Sequence, residues 1–297
     1  MNDLKYAFYV FLGGCSFGVL STFVKLGYDY GFSTNQVVGM QFIIGFLMFA
    51  GLTLFRKKHT IPTLTFAKLC ASGIPMALTG VFYYNSLEYL DASIAIILLF
   101  QYTWMGLIVD LIVDKKVPSK TQFVSVALLF IGSLGAVNIF DTSLTSIPIE
   151  GLGWGMLAAI SFTLFIFVSG RVAAHVPALE KSMIMSIGAL IVIILIYPPT
   201  YLLTGDYEPS LWILGLILGL FGVVLPPLLF SFSMPKVGNG LGTILSSSEL
   251  PMAVLMSVIV LHENVTWIQF LGVTIIIIGI IWANLPQIRK YRLAKRI

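Results

Sequence analysis

Long apolar runs, separated by short polar interruptions, extend over nearly the whole chain. A helix that crosses a bilayer needs about 20 mostly apolar residues, and ten runs approach or exceed that length: 5–26, 34–55, 66–86, 92–113, 120–140, 151–171, 182–203, 211–232, 239–261 and 266–286. The interruptions carry turn residues and charges, as in "RKKHTIP" and "PKVGNG". Because the runs lack the strict alternation of barrel strands, the pattern predicts an all-α integral membrane protein with ten transmembrane helices.

The basic residues separate by side when alternate loops are placed on opposite sides of a membrane. Sixteen of the 17 lysines and arginines then fall on one side, and only Lys25 falls on the other. Cytoplasmic loops are enriched in these residues, so we expect both termini in the cytoplasm of a cell whose plasma membrane holds the protein. The basic end of the chain, 287–297, is expected to touch anionic lipid and not nucleic acid.

Composition excludes a soluble fold, because 58% of the residues are hydrophobic and only 10% are charged, against roughly 25% charged in soluble domains. Cys15 and Cys70 lie in different runs and are expected to be free thiols. The chain has no HExxH motif, phosphate loop or paired-cysteine metal motif. We therefore expect no catalysis, no cofactor and no metal site.

Two stretches of the chain resemble each other. The piece "DASIAIILLFQYTWMGLIVDLIVDKKV" aligns with "NGLGTILSSSELPMAVLMSVIVLHENV" when Asp91 is placed on Asn239, which puts Gln101 on Glu249. The alignment predicts a five-helix repeat over 1–140, a linker over 141–150, a second repeat over 151–286 and a basic tail over 287–297. Because five is odd, the repeats are inverted, an architecture typical of transporters with a substrate site near the midplane.

The second repeat also resembles a known family. Its end, "SSSELPMAVLMSVIVLHENVTWIQFLGVTIIIIGIIWAN", is similar to the EamA branch of the drug/metabolite transporter superfamily. The fitting positions are Glu249, Pro251, Glu263, Gly272 and Gly279. The chain departs from the pattern at Lys115, which aligns with Glu263, and at His262, where the family usually has glycine. The resemblance implies transport of small polar or amphipathic metabolites, often amino-acid-like and often outward.

Glu249 is the principal candidate for function. An ionised side chain at the centre of a bilayer costs at least about 2.5–3.5 kcal/mol, so Glu249 is expected to face a cavity or the bundle interior. Helical spacing places it on a stripe of small and polar residues: Gly242, Ser246, Glu249, Ala253 and Ser257. Burial disfavours the charged form of a carboxyl group, which suits a proton carrier. A structural hydrogen bond between helices is the alternative.

Pro251 follows Glu249 and is predicted to leave the carbonyl of Ser247 without its usual partner, because proline has no N–H. Pro226 and Pro227 are expected to kink or break the eighth helix for the same reason.

Gln101 is expected to contact substrate or to bond between helices. Of its neighbours Tyr102 and Trp104, at most one is expected to line a cavity. Gln41 is a further cavity candidate.

Asn85, in "FYYNS", is a further candidate for substrate contact. An aromatic belt at the membrane interface would explain its neighbours Tyr83 and Tyr84. Asp110 is expected to pair with a lysine or to reach the interface.

The leading hypothesis is a secondary transporter with alternating access for a small-molecule substrate, with protons as a candidate coupling ion. An integral membrane enzyme for lipid-linked substrates and a non-transporting receptor or assembly subunit are the alternatives. The protein is expected to be a monomer or a homodimer in membrane lipid.

Overall fold

A computed structural model of the chain describes residues 2–54, 61–90, 92–137, 148–205, 208–262 and 264–294. These residues form helices and connecting turns. The helices are α1 (Asn2–Asp29), α2 (Thr34–Leu54), α3 (Thr63–Tyr89), α4 (Ala92–Leu99), α5 (Tyr102–Asp114), α6 (Lys120–Ala136), α7 (Ile149–Arg171), α8 (Ala178–Ile196), α9 (Thr200–Thr204), α10 (Ser210–Leu218), α11 (Leu225–Val237), α12 (Asn239–Ser246), α13 (Glu249–Leu261) and α14 (Trp267–Ala294).

Within these residues, nine helical spans are long and apolar enough to cross a membrane. Three of them are composite: α4 with α5 gives Ile94–Asp114, α10 with α11 gives Ser210–Val237, and α12 with α13 gives Asn239–Leu261. The predicted window 120–140 corresponds to α6, an apolar helix shorter than the other spans. The all-helical membrane architecture is confirmed, with nine full-length spans where ten were predicted.

The boundaries of the predicted linker, 141–150, change at one end. Helix α7 already begins at Ile149, so the second repeat starts before residue 151. Residues 141–147 lie outside the described part of the chain. At the end of the second repeat, α14 continues to Ala294, so the backbone of the predicted tail is helical up to that residue.

The helices of the two repeats correspond at a constant offset of 147 residues. Helix α4 matches α12 (Ala92 to Asn239), and α5 matches α13 (Tyr102 to Glu249), with equal lengths in both pairs. The alignment drawn from sequence was therefore one residue out of register over this stretch. Gln101 corresponds to Ser248, and the partner of Glu249 is Tyr102.

The turns that end α5 and α13 follow the same offset. Lys115 has φ 53° and His262 has φ 55°, so both adopt the left-handed conformation that glycine enters most easily. This explains why the family usually has glycine at the position of His262. The structural partner of His262 is Lys115, whereas the sequence alignment had placed Lys115 on Glu263, which lies outside the described residues.

Two of the three composite spans, α4 with α5 and α12 with α13, are broken by the same short turn. In the first repeat the N–H of Gln101 donates to the carbonyl of Leu98, and that of Thr103 to Phe100. In the second repeat Ser248 donates to Leu245, and Leu250 to Ser247. These bonds span three residues where an α-helix spans four, so the chain tightens and the helix changes phase at the centre of each span.

Close packing between the repeats forms the core. Helix α3 packs on α7 and α8, α1 on α11 and α13, and α6 on α14. Glycines make the closest approaches: Gly73 lies against the backbone carbonyl of Met185, and Gly188 against that of Cys70. Small residues at helix crossings are the usual means of association in lipid. The two repeats thus form one body with an intimate joint interface.

Candidate functional site

A cavity of about 560 Å³ lies between helices of both repeats. Its walls come from α1, α2, α3, α4, α7 and α13, together with Gly222 in a π-helical turn, Gly219–Val224, that joins α10 to α11. The cavity extends toward the end of the bundle where Lys25, Tyr28 and Leu261 lie, which we name the Lys25 end. The opposite end, where α5 and α7 finish and α12 begins, is named the Asp110 end.

Glu249 contributes a carboxyl group to this cavity. It is the first residue of α13, directly after the break, and Ala253 and Ser257 follow it along the same wall. Its Oε2 atom is shielded from solvent and has no hydrogen-bond partner among the described residues. Glu249 thus lines the cavity at the start of the second half of a broken span.

Gln41 also lines the cavity. Its Oε1 accepts a hydrogen bond from the Tyr84 hydroxyl at 3.4 Å, which joins α2 to α3. Gly222 leaves room for the Gln41 amide, because a Cβ at Gly222 would lie 2.5 Å from Gln41 Nε2. The π-helical turn therefore lets an amide side chain occupy the wall.

The rest of the wall is aromatic and apolar, with a few hydroxyl groups and one lysine. The polar members besides Glu249 and Gln41 are Ser21, Thr22, Lys25, Tyr28, Thr79, Tyr83, Tyr84 and Ser257. Such a surface, mostly apolar with a small number of placed polar groups, is typical of sites for small organic ligands.

Aromatic rings close the cavity toward the Asp110 end. Phe17, Phe162 and Phe165 line it, and the Phe17 ring lies 5.4 Å from Phe162 and 6.3 Å from Phe165, centroid to centroid. Behind them, Phe230 lies 6.0 Å from Phe17, and Tyr102 lies 4.7 Å from Phe162. We name these five residues the aromatic floor. It separates the cavity from the Asp110 end.

Gln101 lies away from the cavity wall in this conformation. Its amide nitrogen donates to the carbonyl of Ile97 at 2.9 Å, and its oxygen accepts from the Trp104 indole at 2.8 Å. Trp104 is 38% exposed on the outer surface of the bundle. The predicted equivalence of Gln101 with Glu249 is thus replaced by that of Tyr102 with Glu249, because the register differs by one residue.

Tyr102 is fully buried in the layer of the aromatic floor that lies farther from the cavity. Of the two aromatic candidates beside Gln101, Tyr102 faces inward and Trp104 faces outward.

Ser246 and Asn85 serve helix contacts in this structure. Ser246 is fully buried, its hydroxyl donates to the carbonyl of Gly242, and Gly14 packs on its backbone. The predicted stripe is split because the break turns Ser246 out of phase with Glu249. Asn85 donates to Val81 at 2.8 Å and to the Tyr197 hydroxyl at 3.4 Å.

The prolines lie at irregular points of the backbone, as predicted. Pro251 lies in the first turn of α13, and the Ser247 carbonyl, which lacks its usual donor at position 251, accepts from the N–H of Leu250 instead. The matching break in the first repeat has Trp104 at this position, so proline does not cause it. Pro226 and Pro227 lie in the first turn of α11 directly after the π-helical turn, which is the irregularity they were expected to produce.

Sequence reasoning missed part of the cavity wall. Tyr83 and Tyr84 were assigned to an interfacial belt, yet both line the cavity. A signal was available, because Met76, Gly80, Tyr83 and Leu87 recur at helical spacing and all four line it. Phe162 and Phe165 had no comparable signal, since phenylalanine is common on every face of a membrane helix.

The described residues hold no group of three or more histidine, cysteine, aspartate or glutamate side chains placed to bind a metal ion. Cys15 and Cys70 are free thiols.

Comparison with known proteins agrees with this architecture. No curated protein matches the sequence. A solved structure, described only as a crystal structure of a protein, matches with a TM-score of 0.75 at 15% identity, covering 93% of this chain and 98% of the other, and shows the same fold. The sequence matches the EamA-like transporter family over residues 4–138 and 149–285, the two repeats found above. The chain belongs to the EamA-like transporter family.

Proposed function

We propose that this protein is a secondary transporter that exports a small amphipathic, amino-acid-like compound by alternating access. The observation that carries the proposal is the Glu249 carboxyl group, which lines the cavity with an oxygen that has no partner among the described residues. Membership of a transporter family sets the class of function. The cavity chemistry supports the choice of substrate.

A carboxylate in a mostly apolar cavity favours a ligand that carries a positive group and an apolar body. The ammonium group of the substrate would pair with Glu249, and the rings of Phe17, Phe162 and Tyr83 would contact the apolar part. Gln41 would hydrogen-bond a further polar group. Lys25, nearer the mouth, is placed to attract the carboxylate of an amino-acid-like compound.

Proton coupling follows from the same carboxyl group. Glu249 can hold either a proton or the cationic group of a substrate, but not both together. Alternating the two occupants as the cavity changes sides would exchange protons for substrate across the plasma membrane. In this scheme the Lys25 end faces outward, both termini are cytoplasmic, and the cavity is in its outward-accessible state.

Flux in sealed vesicles tests the proposal. Purified protein would be reconstituted, and amino acids and amphipathic amines would be screened for movement with and without a pH gradient. We expect Glu249→Gln to lower pH-driven flux by about tenfold or more, because an ionic partner is lost. The matched control, Glu150→Gln, removes an exposed carboxylate at the start of α7 and should leave flux unchanged.

Full pH-driven flux in Glu249→Gln would overturn the coupling role. A protein that moves no compound of the panel, yet binds a lipid-linked donor, would instead support the enzyme hypothesis.

A further inference from the structure

The Asp110 end is closed by a contact between the repeats. Asp110 of α5 accepts a hydrogen bond from the backbone N–H of Gly240 in α12, with an Oδ2 to N distance of 2.7 Å. Asp110 was expected to pair with a lysine or to reach the interface, and its carboxylate instead caps the opening turn of α12. A negative charge is stabilised there, because the first N–H groups of a helix have no partner within it.

The close approach of α5 to α12 at this contact requires glycine at position 240. A Cβ on Gly240 would lie 2.7 Å from Asp110 Oδ2 and 2.8 Å from Leu107 Cδ2. The two helices remain close further along, where Thr243 of α12 packs against Gly106 of α5 and bonds to the Thr103 carbonyl at 3.3 Å. The joint is therefore continuous from Asp110 toward the aromatic floor.

A second acidic residue of α5 makes a parallel contact one helical turn later. Asp114 forms an ion pair with Arg171 at the end of α7, while also lying 3.4 Å from Lys116. Thus α5, from the first repeat, is held by α12 and α7, both from the second. The Asp110 contact is the more sheltered of the two, because Asp110 Oδ1 is shielded from solvent.

The equivalent positions at the Lys25 end have no acidic residue. At the offset of 147 residues, Asp110 corresponds to Ser257 and Asp114 to Leu261. Both Ser257 and Leu261 line the cavity. Helix α4, the counterpart of α12, lines it as well through Ile96 and Leu99. Helices α5 and α12 are therefore in contact at the Asp110 end, whereas the cavity separates their counterparts α13 and α4 at the Lys25 end.

From this asymmetry we infer that Asp110 is the latch of the cytoplasmic gate: its bond to Gly240 holds α5 on α12 and must break before the cavity can open at the Asp110 end. The Asp114–Arg171 pair reinforces the latch. The inference rests on the alternating-access function proposed above, and it assigns to Asp110 a share in the conformational equilibrium and none in substrate binding.

Cysteine accessibility tests the latch without any substrate. Cys15 and Cys70 would be replaced by alanine, and Thr243→Cys would be introduced as the reporter, since Thr243 is fully buried in the α5–α12 joint. Asp110→Asn and Asp110→Ala would then be compared with the parent for their rate of labelling by a water-soluble maleimide. We expect about a tenfold faster rate with Asp110→Ala, because a charge-assisted hydrogen bond is lost, and a smaller increase with Asp110→Asn.

Asp29→Asn is the matched control, because it removes an exposed carboxylate at the Lys25 end and should leave the rate unchanged. If Asp110→Ala does not fold, Asp110→Asn alone decides the result, since it preserves shape. Folded Asp110 variants that label at the parent rate, or an equal increase in Asp29→Asn, would overturn the latch. Because no flux is measured, such a result would leave the transport proposal standing.

Discussion

The chemistry of the cavity differs between two positions that the fold makes equivalent. Glu249 and Tyr102 both begin the second half of a broken helix, yet one is a carboxylate at the cavity wall and the other a buried phenol in the aromatic floor. Internal symmetry therefore supplies a common backbone, and single substitutions on it decide where charge lies. A transporter with one carboxylate at this level presents one strong site for a cation or a proton.

Gln41 and Gln101 were both candidates for the site from sequence, and the structure distinguishes them. Gln41 lines the cavity and bonds to Tyr84, whereas the Gln101 amide is occupied by Ile97 and Trp104. We expect Gln41→Ala to reduce substrate flux by about fivefold, the equivalent of one hydrogen bond. Gln101→Ala should keep flux within about twofold and lower thermal stability slightly, since both hydrogen bonds of its amide lie within one span.

The measurement is vesicle flux together with thermal unfolding in detergent for both variants. Loss of flux in Gln101→Ala with intact stability would return Gln101 to the substrate site and contradict the assignment made from the structure.

Two kinds of irregularity shape the helices. Short turns break one span of each repeat at its centre, and glycines let α3 and α8 approach until backbone meets backbone at Gly73 and Gly188. Breaks inside a membrane are tolerated where protein covers the freed backbone groups, and the three serines Ser246, Ser247 and Ser248 are all fully buried at one of them.

Substitution of the crossing glycines tests the close approach. A methyl group at Gly73 would collide with the backbone carbonyl of Met185, and overpacking of this kind costs about 1–3 kcal/mol. We expect Gly73→Ala to lower the melting temperature in detergent clearly. Gly153→Ala is the control, since a Cβ there meets nothing within 4 Å and alanine favours the helix by up to about 1 kcal/mol.

If neither Gly73→Ala nor Gly153→Ala changed the melting temperature, α3 and α8 would be able to move apart without loss of stability.

The assembled bundle is asymmetric across the membrane although its repeats are related by inversion. The cavity extends toward the Lys25 end, while carboxylates and aromatic rings close the Asp110 end. This is the arrangement expected of one state of an alternating-access cycle, in which the second state would exchange the roles of the two ends. From the distribution of basic residues we predict that the Asp110 end faces the cytoplasm.

Orientation can be measured in intact cells. In a background without Cys15 and Cys70, we expect Tyr30→Cys, at an exposed position near the Lys25 end, to react with a maleimide that cannot cross the membrane. Lys116→Cys, which is exposed beyond α5 at the Asp110 end, should react only after the cells are permeabilised. The reverse pattern would invert the topology and make the proposed direction of opening wrong.

Hydropathy and charge alone predicted the membrane class and nearly every span, and they singled out Glu249 as a candidate. This succeeds because a helix in lipid satisfies its own backbone bonds and needs only an apolar surface of sufficient length, properties that each segment carries by itself. Glu249 stood out for a similar reason, since a charge in lipid is expensive wherever it lies.

The tertiary structure was needed to decide which side chains share the cavity. One residue of register turns a helical side chain by about 100°, and the break near Gln101 imposes such a phase change with no proline beside it, whereas Pro251 follows the break near Ser248. Hence Gln101 and Ser246 left the predicted site, and Tyr83, Tyr84, Phe17, Phe162 and Phe165 entered it. Contacts such as Asp110 with Gly240 join residues 130 positions apart, and only the packed bundle brings them together.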